Sequence, residues 1–193
     1  MNYMALTSSK KGLRPAPKRG AHKSRHSSPS SVYSSPEKLE RMAQPPSKPR
    51  RWLLAVDPRV YHWDTLFVKG KEMWRRAGNK PDAIRQLKQV HKGDRALCYH
   101  GKPEHTLYAL AEVSRDPYPD PHDIGSKTLV TDLRAIERLP RQVALSELRA
   151  NRLLKKIKFL KNTRLTICPL SDEEYAEILR MAGIVASPGI PLP

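Results

Sequence analysis

Residues 93–121 read GDRALCYHGKPEHTLYALAEVSRDPYPDP, and the fold is read outward from them. Two apolar runs of strand length, Arg95–His100 and Leu107–Val113, flank Gly101, Lys102 and Pro103. Short runs punctuated by Gly and Pro read as strands, and the brief spacer makes this pair a hairpin. The second run leads into Asp116-Pro117-Tyr118-Pro119-Asp120-Pro121, a segment stiffened by three prolines. Strands that carry Tyr99, His100 and Tyr118 toward one rim point to a binding mouth.

Upstream, Trp52–Val56 (WLLAV) is a continuous apolar run that predicts a fully buried strand, stopped by Asp57-Pro58. Tyr61–Phe67 spaces Trp63, Leu66 and Phe67 as a short helix, with Gly70 just beyond. Trp52 and Trp63 read as core, whereas Trp74 and Tyr118 sit among polar or proline neighbours and read as exposed or pocket residues. Asn79-Lys80-Pro81-Asp82 suits a helix start, because Pro fits the first turn and Asp complements the positive end of the dipole. Ala83, Ile84, Leu87 and Val90 form its apolar stripe.

Downstream, Thr128–Leu139 predicts a strand ended by Pro140, and Ala144–Lys161 predicts a leucine-rich helix. Arg164–Leu170 reads as a further strand. Ser171-Asp172-Glu173-Glu174 carries the capping-box signature of a last helix, in which Ser caps forward and Glu reaches back. About five short strands without regular βαβ alternation favour a small mixed barrel over a doubly wound sheet.

Charge is distributed unevenly along the 193 residues. Residues 1–51 hold 12 of the 36 Lys/Arg and only Glu37 and Glu40 as acids, leaving 24 Lys/Arg against 17 Asp/Glu in residues 52–193. The first 50 residues are also rich in Ser and Pro and poor in large aliphatics, so they cannot bury enough surface to offset ordering entropy and read as a disordered basic tail. Residues 51–183 read as the folded domain, and residues 184–193 as a flexible C-terminal tail. Met42 is an alternative start, since every recognisable feature follows it. A net charge of +17 favours a polyanionic partner, nucleic acid before membrane.

The same composition excludes several classes. Cys98 and Cys168 are the only cysteines, too few for a disulfide framework. No secretory signal or spanning apolar window is present, so a cytoplasmic protein is expected, with nucleoid or nuclear association as the alternative. No phosphate loop, nucleophile elbow or metalloprotease motif occurs, so no enzymatic activity and no cofactor are expected. His100, Glu104 and His105 are too few, at the wrong spacing, to predict a metal.

Trp52-Leu53-Leu54, Asp57-Pro58, Tyr61-His62-Trp63-Asp64-Thr65-Leu66, Trp74 with Asn79, Gly93-Asp94, Tyr99-His100, Ala111-Glu112-Val113, Tyr118-Pro119-Asp120-Pro121, Arg164-Leu165-Thr166 and Glu174-Tyr175 follow one another in an order that resembles the EVE domain of the PUA-like superfamily. The resemblance covers about residues 51–182. It departs from the family pattern at Ala55-Val56, Arg75–Gly78 and Gly101. It implies an α+β fold, a PUA-like mixed β-barrel with flanking helices. It also implies a monomeric nucleic-acid-binding module whose pocket takes an extruded, modified base: a C5-modified cytosine in DNA or a modified base in RNA. Asp57, Trp74, Asn79, Tyr99, His100 and Tyr118 are the base-pocket candidates so implied, with Trp74 and Tyr118 stacking. The alternative is a protein-interaction adaptor whose basic tail alone contacts nucleic acid.

Overall fold

The computed structural model describes residues 48–75, 80–125 and 128–184. All but the last three residues of the expected N-terminal tail, and all but the first of the C-terminal one, lie outside the described residues.

A parallel pair is central. β1 (Arg51–Val56) runs beside β3 (Arg95–His100), with Trp52 opposite Ala96 and Val56 opposite His100. β4 (Thr106–Pro119) returns antiparallel to β3, completing the expected hairpin, and β5 (Leu129–Ala144) runs antiparallel to β4. β2 (Lys71–Trp74) flanks β5, and β6 (Ile167–Leu170) flanks β1. Among the described residues this gives a six-stranded mixed sheet in the order β2-β5-β4-β3-β1-β6. The helices are α1 (Asp64–Lys69), α2 (Pro81–Leu87), α3 (Leu145–Ala150), α4 (Lys158–Lys161) and α5 (Asp172–Met181), with a 3-10 turn at Arg152–Leu154. The fold class is α+β.

Both faces of the central strands are buried, which is why β1 reads as an unbroken apolar run. Side chains alternate along a strand. Leu53, Ala55, Leu97 and Tyr99 therefore face one core, built with Leu148, Phe159, Tyr175 and Ile178 of the C-terminal helices. Trp52, Leu54, Ala96 and Cys98 face the other, with Trp63, Leu66, Trp74 and Leu87. The α5 capping box forms as expected: Glu174 N donates to Ser171 Oγ at 3.2 Å, and Ser171 N to Glu174 Oε2 at 2.8 Å.

Three expectations are corrected. Strand β4 does not stop at Val113 but continues through the prolines to Pro119. Asp120 N donates to Thr128 O on the β5 side, so the missing N–H groups of Pro117 and Pro119 fall on the other side, beyond the last β3 pairing at Glu112. Strand β5 likewise passes Pro140, which sits in an irregular stretch between the Ala109–Arg138 and Leu107–Val143 pairs. Ala144–Lys161 is not one helix. Asn151 is extended and its side chain accepts from Leu153 N, while Ile157 breaks helical geometry again, so the segment folds as three short turns. Trp74, read as an exposed or pocket residue, ends β2 and is buried.

Candidate functional site

A cavity of about 530 Å³ opens where β2 ends, within the size range of small-molecule sites. Glu72 and Trp74 share one face of β2, opposite Leu133 and Thr131 of β5. Trp74, Leu66 and Leu133 form its apolar floor. Tyr61, edge-on to Trp63 at 5.5 Å, supplies a side wall, and its hydroxyl donates to Glu72 Oε2 at 2.7 Å. Lys69 donates to the other Glu72 oxygen at 2.6 Å.

The far wall comes from the turn after β4. Asp120 Oδ1 accepts from His122 N at 2.9 Å, and its Oδ2 accepts from Arg75 Nε at 2.7 Å. Burial pulls the Asp120 carboxyl upward, but the His122 N–H and the Arg75 guanidinium outweigh it and hold the group below its ordinary value. Asp123 accepts from Thr128 Oγ1 at 3.0 Å. Three carboxylates and one guanidinium thus surround an apolar, aromatic floor. Such a site suits a flat ligand that carries amine donors.

Of the sequence-implied pocket residues, Trp74 lines this cavity, and its indole Nε1 has no hydrogen-bond partner among the described residues. Asn79 lies outside the described residues. The other four stand elsewhere. Asp57 is half-buried and holds Arg59 through both carboxylate oxygens, at 3.0 and 2.6 Å; the Arg59 hydrogen bond lowers its pKa to about 2. Tyr99 has odd parity on β3 and so faces Phe159 at 4.7 Å, where burial pushes its phenol up to about 12. Tyr118 pairs with Val130, donates to Asp132 Oδ1 at 2.6 Å and lies under Arg115. Asp132 alternates with Thr131 and Leu133, which puts Tyr118 on the face opposite Trp74.

His100 is buried and engaged at both nitrogens. Its Nε2 accepts from Trp63 N at 3.1 Å, so Nδ1 carries the proton and meets Glu104 Oε2 at 2.5 Å. His62, His100 and Glu104 come within 4.8 Å of one another, yet this arrangement leaves His100 no lone pair for a metal. Burial holds the His100 imidazole below its ordinary pKa, against the opposing pull of Glu104. The folded state therefore resists protonation that the unfolded chain accepts. Stability is expected to be full above about pH 6.5 and to decline as pH falls through the lower folded value. Thermal unfolding from pH 7.5 to 5 should show this slope, and His100→Gln should flatten it. An unchanged slope would assign the effect to other groups.

Tyr61, Glu72, Arg75, Asp120 and Asp123 line the cavity without being among the sequence-implied pocket residues. Tyr61 and Asp120 enter the resemblance only as motif positions, in Tyr61–Leu66 and Tyr118–Pro121. The four-residue β2, charged at its start, carries too little pattern to announce a strand.

The family model of the EVE domain matches residues 50–181. Among solved structures, the chain is similar to Rpa0253 from Rhodopseudomonas palustris, at 29% identity and a TM-score of 0.67, covering 73% of this chain and 98% of that one. It is similar to Atu2648 from Agrobacterium tumefaciens, at 28% identity and a TM-score of 0.68, covering 74% and 99%. The fold is also shared with human THYN1, crystallised in complex with 5-methylcytosine-containing DNA, at 21% identity and a TM-score of 0.62, covering 69% and 97%. Compared with curated proteins, the chain finds no match. No helix among the described residues is long and apolar enough to cross a membrane.

Proposed function

The chain belongs to the EVE domain family, and on that footing we propose that it is a non-catalytic nucleic-acid-binding module that seats one extruded base in the cavity at the end of β2. The carrying observation is that cavity: about 530 Å³, floored by Trp74 and Leu133, walled by Tyr61, and edged by Glu72, Asp120 and Asp123. The class of base is a modified one, a C5-modified cytosine in DNA or a modified base in RNA. The complex of human THYN1 with 5-methylcytosine-containing DNA supports the reading. Closure of the six strands into a PUA-like barrel belongs to the same reading, as does a monomeric state.

The physics is that of base flipping. Unstacking a nucleotide costs a few kcal/mol. Stacking on an aromatic wall returns roughly 1–3 kcal/mol per base, and carboxylates that accept from an exocyclic amine add discrimination. Asp120 is suited to that acceptor role because Arg75 and His122 N keep it ionised and fixed.

The test is fluorescence anisotropy with single- and double-stranded oligonucleotides, with and without 5-methylcytosine, at two salt concentrations. The expected result is a preference for the modified strand that falls about tenfold in Asp120→Ala and in Tyr61→Leu, a loss of ~1.4 kcal/mol. Equal binding to every oligonucleotide, unaltered by either substitution, would overturn the cavity reading in favour of an adaptor whose basic tail alone touches nucleic acid.

A further inference from the structure

Residues 152–164 read RLLKKIKFLKNTR, with six cations and no acid. The 3-10 turn at Arg152–Leu154 and helix α4 sort this segment cleanly. Leu154, Ile157, Phe159 and Leu160 are buried in the core, while Arg152, Lys155, Lys156, Lys158, Lys161 and Arg164 are all exposed. A continuous helix would have spread these cations around its axis, but the breaks at Asn151 and Ile157 turn every one outward. None of the six has an ion-pair partner among the described residues, whereas Arg75, Arg95, Arg138 and Arg180 each hold a carboxylate. A ridge of unpaired like charges costs self-repulsion, and an anionic ligand relieves it.

The ridge also borders a recess. Lys158 and Arg164 converge with Lys80 on a groove of about 490 Å³ that Asn162 and Thr166 share. Arg85 lines it too, but is paired with Asp82 at 2.7 Å. The groove and the base cavity are joined by a short stretch of chain: Arg75 lines the cavity and Lys80 the groove. Five residues span at most ~18 Å.

We propose that residues 152–164, together with Lys80, form a binding track for the sugar-phosphate backbone of the nucleic acid whose base enters the cavity. The inference rests on the cavity reading for the identity of the polyanion and adds the surface that supplies its affinity. A membrane is the weaker occupant. An interfacial segment turns its apolar side chains outward, and here four of the five large ones are buried, with only Leu153 turned out, at 69% exposure.

Two measurements on the full-length chain decide it. In lysine acetylation footprinting, a saturating single-stranded oligonucleotide should slow modification of Lys155, Lys158 and Lys161 several-fold. In salt titrations, Lys155→Gln/Lys158→Gln/Lys161→Gln/Arg164→Gln should flatten the dependence of log affinity on log salt by about 3, since each single-strand phosphate contact carries ~0.7. The ratio of affinities for modified and unmodified strands should stay unchanged. An unaltered slope with that preference intact would sink the track alone. A lost slope with no base preference in the unsubstituted protein would instead sink the cavity reading. If the variant fails to fold, the footprint of the unsubstituted protein decides: unprotected lysines, or protection only by phosphatidylserine vesicles, overturn the proposal.

Discussion

Asp94→Ala is expected to lower the unfolding free energy by roughly 3–5 kcal/mol, the cost of breaking a buried, fully hydrogen-bonded charge site. Asp94 sits just ahead of β3 and is 1% exposed. Its Oδ1 accepts from Arg50 N at 2.8 Å. Its Oδ2 accepts from Trp52 Nε1 at 2.7 Å and from His91 N at 2.9 Å. One carboxylate thus fastens the entry of β1, an indole in the core and the turn after α2. Its own backbone adds a bond from Val113 N at 2.9 Å, which joins β4. Alanine removes the acceptor and leaves three donors facing a void. Trp52→Phe removes a single donor together with part of a buried ring and should cost about 1.5–3 kcal/mol, the range of one hydrogen bond to a charged group, less than the loss of the shared acceptor. Urea denaturation of the three proteins checks the ranking. A midpoint for Asp94→Ala within error of the unsubstituted protein would show that water replaces the carboxylate at no cost.

The legibility of this chain follows from where patterns are local. β1, β3 and the α5 capping box are readable because their apolar runs and cap residues are set by a few neighbours. The failures share another cause. Pro117 and Pro119 fit in β4 only because β3 has already ended beside them, and no local signal says where a neighbouring strand stops. The break of residues 144–161 turns on Asn151 accepting from Leu153 N, one side-chain choice within an otherwise helical leucine pattern.

The site was less legible than the fold for a related reason. The resemblance nominates positions along the chain, but strand parity decides which face each reaches. Tyr99 and His100 are adjacent and enter opposite cores. Tyr118 and Trp74 fall on opposite faces because the β2–β5 register sets Trp74 against Thr131. What converges on the cavity instead is Tyr61, Glu72, Arg75 and Asp120, contributed by two loops and an edge strand too short to read.

Trp74 is where the fold and the proposed base site meet, and its substitutions separate the two roles. Trp74→Ala is expected to cost about 3–5 kcal/mol, because it removes a buried indole that packs with Leu66 and Leu133 and leaves a void beside an existing cavity. Trp74→Phe should cost less than about 1 kcal/mol. It keeps an aromatic wall, and the lost N–H has no acceptor among the described residues, so its removal relieves an unsatisfied donor. Binding should follow the wall rather than the stability. At a temperature where both variants are folded, phenylalanine should keep the preference for a modified strand, and alanine should lose about tenfold of it, or ~1.4 kcal/mol. Thermal unfolding and anisotropy on the same samples check the pair. If Trp74→Phe proves as destabilising as Trp74→Ala, the indole N–H has an acceptor in the folded protein. If Trp74→Ala keeps full preference while folded, recognition lies with Tyr61 and the carboxylates, and the floor of the cavity serves only to hold them apart.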